Sequence, residues 1–176
     1  LGIWEVTIEP VTDGTYIFTA QLEDLAGNLS VASTELEITI DSTTPQRPTI
    51  DLLNNYDTGT YNLDNVTYFT TLDFRVSAEP GSTVVIKDGN TIIDMFVMPA
   101  APFTIRTLDF VALEGINGIP AEGPHPLSTE ATDDAGNRSH QSEELLVEID
   151  TTPPAPPSTP ELLVASDSGD IGDDIT

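Results

Sequence analysis

The sequence predicts an all-β protein of tandem β-sandwiches, one complete module flanked by partial ones, and three observations carry that prediction. The first is an internal repeat: with Gly14 set on Gly123 and Asp41 on Asp150, an offset of 109 residues, 11 of 28 ungapped positions are identical. Asp24/Asp133, Ala26/Ala135, Gly27/Gly136, Asn28/Asn137 and Leu36/Leu145 are among them. A fixed period of this kind marks stacked structural units. The second is period-two alternation of apolar residues, with no convincing amphipathic helix. The third is proline punctuation: "DSTTPQRP" and "DTTPPAPP" follow the two repeated segments, and proline favours extended, semi-rigid linkers.

The repeat also sets the boundaries. "IDLLNNYDTGTYNLDNVT" (50–67) pairs with "PELLVASDSGDIGDDIT" (160–176) after small gaps. Residues 1–41 therefore read as the C-terminal part of a preceding domain, 42–150 as a complete domain with its leading linker, and 151–176 as a linker and the N-terminal part of a following domain. The flanking pieces hold too few strands to bury a core alone.

Within 42–150 each strand has its own justification. Leu72, Phe74, Val76 and Ala78 share one face while Asp73, Arg75 and Ser77 share the other, the alternation of a half-buried strand. "EPGS" (79–82) is a turn, because Pro80 presets φ and Gly81 tolerates φ > 0. Val84 and Ile86 lead into "KDGN" (87–90), whose Asp-Gly pair suits a tight hairpin. Further strands are expected near 91–97, 103–108, 125–132 and 143–150. In the last, Leu145, Val147 and Ile149 face inward, as Leu36, Ile38 and Ile40 do in the first copy. About seven short strands in about 109 residues predict an immunoglobulin-like sandwich.

Charge narrows the function. Thirty acidic residues oppose five basic ones (Arg47, Arg75, Lys87, Arg106 and Arg138), a formal net charge of −25 over 176 residues. Such a surface repels nucleic acid and anionic membrane and suits cations. The charges are scattered among alternating apolar residues, which fits a folded chain rather than a disordered tract. There is no cysteine, so neither disulfides nor thiolate metal sites contribute. No signal peptide and no run of about 18 apolar residues is present, so this segment does not insert into a membrane. The opening "LGIWEVTI" begins in mid-strand, as an excised piece would, with any targeting signal outside it.

The order "AEPGSTVVIKDGNTI", "TEATDDAGNRS", "LLVEIDTTPPAPPSTPELLVASDSGDIGDDIT" resembles the bacterial Ig-like repeats of giant secreted adhesins of the biofilm-associated, RTX type. The pairing of "DxAGNxS" with "IDTTxPxxP" carries the resemblance, which covers nearly the whole chain. It implies export to the bacterial cell surface, tandem sandwiches contacting neighbouring repeats of the same chain, and calcium-dependent rigidity. One departure is visible: Trp4 to Gly14 spans 10 positions but Phe103 to Gly123 spans 20. The extra segment near "LDFVALEGINGIPA" (108–121) is expected to pack over the sandwich base or the following joint.

Calcium is the leading ligand, because hard cations take oxygens from Asp, Asn and backbone carbonyls. In an Ig-like topology the Asp133–Asn137 loop lies where the chain enters a module, and the first-hairpin loop, Asp57 to Asn65, where it leaves. The first joint then offers Asp41, Asp133 and either Asp134 or Asn137. The second offers Asp57, Asp64 and Asp150. These residues read equally as turn and linker residues. "SDSGDIGDD" (166–174) lacks EF-hand spacing and its closing glutamate, and there is no glycine-rich nonapeptide.

Catalysis is not expected. A hydrolytic triad needs an oriented base beside a nucleophile, and His125 and His140 read as strand and rim residues. Carboxylate pairs are uninformative in so acidic a chain. Trp4 and Phe103 read as matched core aromatics rather than sugar platforms, and the sequons at Asn28, Asn65 and Asn137 as turns. The sequence thus predicts a non-enzymatic, extracellular extender module of an adhesin, stiffened by calcium. The rivals are a module binding a host or biofilm-matrix ligand, sugar or protein, through the 108–121 insertion, and an accessory module of a secreted enzyme.

Overall fold

A computed structural model describes residues 7, 9, 11–61 and 63–160. Trp4 and the calcium-loop-like stretch 166–174 lie outside the described residues. The first copy contributes a hairpin, β1 (Gly14–Phe18) paired antiparallel with β2 (Leu36–Ile40), joining Gly14 to Ile40 and Phe18 to Leu36. Leu36 and Ile38 stay exposed among the described residues, because nothing there covers this hairpin's inner face.

The central module is a two-layer sandwich. One layer is β3 (Thr49–Leu52), β5 (Thr71–Ser77) and β8 (Thr104–Asp109), in the order β3-β5-β8. The other combines β4 (Val66–Thr67), β6 (Thr83–Asp88), β7 (Thr91–Val97), β9 (Gly123–Thr132) and β10 (Leu145–Ile149), in the order β4-β10-β9-β6-β7. The alternation of Leu72, Phe74 and Val76 in one layer meets that of Val84, Ile86, Leu127, Val147 and Ile149 in the other; all of these are buried. Gly89, at φ 54, turns β6 into β7, a conformation that costs glycine little. The sandwich's open side lies between edge strands β7 and β8. Arg106 closes it by donating to both Asp94 oxygens, at 2.6 and 2.9 Å, while its guanidinium lies 4.5 Å from the Phe96 ring centre.

Three features differ from the sequence expectation. The 108–121 insertion contains an eight-residue helix, α1 (Phe110–Asn117). Asp109 accepts from the Ala112 N–H as its N-cap, and Gly118, at φ 69, ends it by donating to the Glu114 carbonyl. Two turns are too short to show a helical period against a β background. Phe110 and Leu113 anchor the helix in the core. The 53–65 loop is not a hairpin tip, since it carries the chain from β3 in one layer to β4 in the other, where β4 runs parallel to β10. Finally, Phe103 is not a core aromatic: it is 42% exposed, covered by the Arg75 guanidinium 4.8 Å from its ring centre.

Candidate functional site

The residues singled out in the sequence fall at the two ends of the central sandwich. At its leading end, Asp133–Asn137 forms a tight loop closed by its own side chains. Asp133 accepts from the Asn137 backbone N–H at 2.8 Å and from its side-chain amide at 2.9 Å. Gly136, at φ 91, makes the reversal. The loop touches the first joint through the Asn137 amide, which donates to the Asp41 carbonyl at 3.0 Å. The Asp41 carboxylate turns to its own chain and accepts from the Thr43 N–H at 2.9 Å. The Asn137 hydrogen bonds hold the Asp133 carboxyl below its ordinary value of 3.8.

That shift fixes a pH dependence. A depressed folded pKa supplies stability that is complete above the unfolded value and lost as pH falls through the folded one. Acidification below the ordinary carboxylate range should therefore loosen the 133–137 loop. Faster exchange of the Asn137 backbone amide below that range, relative to core amides of β9, would show it; uniform protection would count against it.

At the trailing end, the Asn65 carbonyl accepts from the Glu148 N–H and the Thr67 carbonyl from the Asp150 N–H, both at 2.9 Å. The 57–65 loop thus sits beside the close of β10. Asp57 is buried; one carboxylate oxygen accepts from the Asn65 N–H at 3.2 Å, and the other is buried without a hydrogen-bond partner. Asp64 lies against Gly59, where an added Cβ would come 2.7 Å from its carboxylate. Asp64 also accepts from the Val66 N–H, and Asp150 from the Thr152 N–H at 2.9 Å. Asp134 makes no side-chain hydrogen bond among those described. Among the described residues, no three acidic or histidine side chains converge as a metal site would require.

Sequence reasoning missed a clamp that recurs at both joints. Asp13 accepts from the Ser42 N–H (3.0 Å), the Ser42 hydroxyl (2.7 Å) and the Thr43 hydroxyl (2.7 Å). These bonds, Ser42 first, lower its pKa. Glu122 plays the same part at the second joint, accepting from the Thr151 N–H and hydroxyl. Extending the repeat alignment by one residue pairs Asp13 with Glu122 and Ser42 with Thr151, so the signal was present. His125 lies on strand β9, as the sequence predicts. It is a buried residue whose Nδ1 lies 2.7 Å from Asp88, under the Phe110 ring at 4.3 Å between centroids.

A model of the bacterial Ig-like domain family matches residues 44–151. The chain belongs to that family. No curated protein matches it. Among solved structures, this bacterial Ig-like chain is similar to a biofilm associated protein, BSP domain, at 22% identity and a TM-score of 0.40, over 81% of this chain and 20% of that one. It is likewise similar to fibronectin(III)-like modules of CbhA from Clostridium thermocellum, at 17% identity and a TM-score of 0.42, over 81% of this chain and 65% of that one. The bacterial Ig-like chain thus spans less than two thirds of either. Among the described residues no helix is long and apolar enough to cross a membrane.

Proposed function

We propose that this bacterial Ig-like chain is a non-enzymatic structural extender of a cell-surface adhesin, outside the cell, supporting adhesion or biofilm formation. The observation that carries the reading is the duplicated clamp. Each sandwich ends by seizing the first linker residues with an acidic side chain, Asp13 on Ser42 and Thr43, Glu122 on Thr151. A linker whose departure is fixed twice in the same way, and then continues as proline-rich chain, supports modules stacked at a set geometry. Small-angle scattering of several consecutive repeats should give a rod whose length grows evenly with repeat number. A compact particle would overturn the reading.

Calcium belongs to the proposal at the trailing end. Asp57 keeps a buried carboxylate oxygen without a partner, a costly state unless a cation or water meets it. Asp64 lies in the same loop and Asp150 just after β10, but the three side chains do not converge, so an ion at Asp57 would complete its shell with backbone carbonyls and water, the hard oxygens calcium takes. When bound, the ion would supply charge neutralisation that lets these carboxylates share one end of the sandwich. Extracellular modules bind calcium at roughly 0.1–1 mM, and saturation at 100 times Kd stabilises the folded form by about 2.7 kcal/mol. Calcium should therefore raise the melting temperature of the chain, and Asp57→Asn should remove most of the rise. An equal rise in wild type and variant would remove calcium from this site.

A second reading has one observation in its favour. Tyr68 is 59% exposed, with Phe69 4.5 Å away between ring centroids, an aromatic surface of the kind that meets sugars or protein partners. Selective glycan binding lost in Tyr68→Ala would favour it.

A further inference from the structure

We propose that Asn137 is an intermodule latch, and that the first joint is held by direct hydrogen bonds with no metal between its two sides. The partner it fits is the carbonyl that closes the last strand of a preceding module of the same kind. An asparagine amide has two N–H groups. Asn137 gives one to the Asp133 carboxylate, at 2.9 Å, and the other to the Asp41 carbonyl, at 3.0 Å. The Asp133 carboxylate thereby has a clear task. Its second oxygen takes the Asn137 backbone N–H at 2.8 Å, so the pair of bonds fixes the amide plane and leaves its remaining donor aimed across the joint.

The same device is built into the first copy. Asp24 accepts from the Asn28 N–H and from its side-chain amide, each at 2.9 Å. The Asp and Asn of the repeated "DxAGN" are thus a holder and a donor. The aspartate closing each last strand contributes its backbone oxygen, while its carboxylate caps the linker through Thr43 or Thr152.

This arrangement disagrees with calcium held between Asp41 and Asp133. A cation needs oxygens facing it, and here the Asp41 carbonyl faces an N–H. The Asp41 and Asp133 carboxylates are each turned into their own loops. Arg47 of the leading linker also pairs with Glu143 of the central sandwich, but both side chains are about half or more exposed, where pairs contribute little. The latch rests on the first joint alone and requires neither the adhesin reading nor a calcium site at the trailing end.

The two mechanisms respond oppositely to one substitution. Asn137→Asp removes both donors and puts a carboxylate against the Asp41 carbonyl, while giving a cation one more oxygen. The chain has no cysteine, so Glu37→Cys and Thr91→Cys, at exposed positions on β2 and β7, place two spin labels across the joint, in a protein that carries the whole preceding module because residues 1–41 cannot bury a core alone. Pulsed electron resonance should give one narrow interspin distance, unchanged between added calcium and chelator. Asn137→Asp should lose that narrow component in both conditions, and Asn137→Ala, which adds no charge, should lose it too. Unfolding of the central module, followed alongside, confirms that each variant is folded. A wild-type distance that is narrow only with calcium, or a narrow component that survives both substitutions, overturns the latch.

Discussion

Replacing Phe110 by alanine should destabilise the central module by about 3–5 kcal/mol, the range for a fully buried phenylalanine whose neighbours cannot collapse into the space. Phe110 has no exposed surface and is one of the largest buried side chains in the molecule. It opens α1, donates its backbone N–H to the Thr70 carbonyl at 2.8 Å, and covers the His125 ring. Its loss would open a cavity and admit water to a buried imidazole. Ile116 lies on the same helix but is 78% exposed, so Ile116→Ala should stay within about 0.5 kcal/mol of wild type. Chemical denaturation of the two variants checks the contrast. Equal small effects would show that the insertion is an ornament on the sandwich rather than part of its core.

The second large effect is expected at Asp88, the partner of His125. Both side chains are almost wholly buried, at 8% and 3% exposure, and the other ring nitrogen of His125 has no hydrogen-bond partner. Asp88→Ala would leave the imidazole without any polar contact. The cost should be about 3 kcal/mol, the upper end of the penalty for a buried hydrogen-bonding group left without its partner. His125→Tyr restores the residue type of the first copy, Tyr16, whose hydroxyl bonds the Thr12 carbonyl at 2.8 Å. In the central module the same tyrosine would collide with the space Phe110 fills. It should therefore not rescue Asp88→Ala, and a double variant as stable as wild type would refute the coupling of His125 to the insertion.

Much of this architecture was legible in the amino-acid sequence, because a strand's period of two and a turn's demand for Gly, Pro or Asp are local constraints. Leu72, Phe74 and Val76 announced a buried strand face, Asp88-Gly89 announced a hairpin, and the 109-residue offset announced a second copy of the closing hairpin. The "DxAGN" loops were visible as turns for the same reason: Asp133 bonds a residue only four positions away. What the tertiary structure alone decided involves partners distant in sequence. Asn137 meets Asp41 across 96 residues, and Arg106 seals the open side against Asp94 only because β7 and β8 are edges of different layers. His125 is buried because an insertion folded into two helical turns lowers Phe110 onto it. Phe103 stays outward, just before β8, where the Arg75 guanidinium rather than the core covers its ring. A sequence states which residues alternate; which side is covered, and by what, is settled only when the two sheets close on each other.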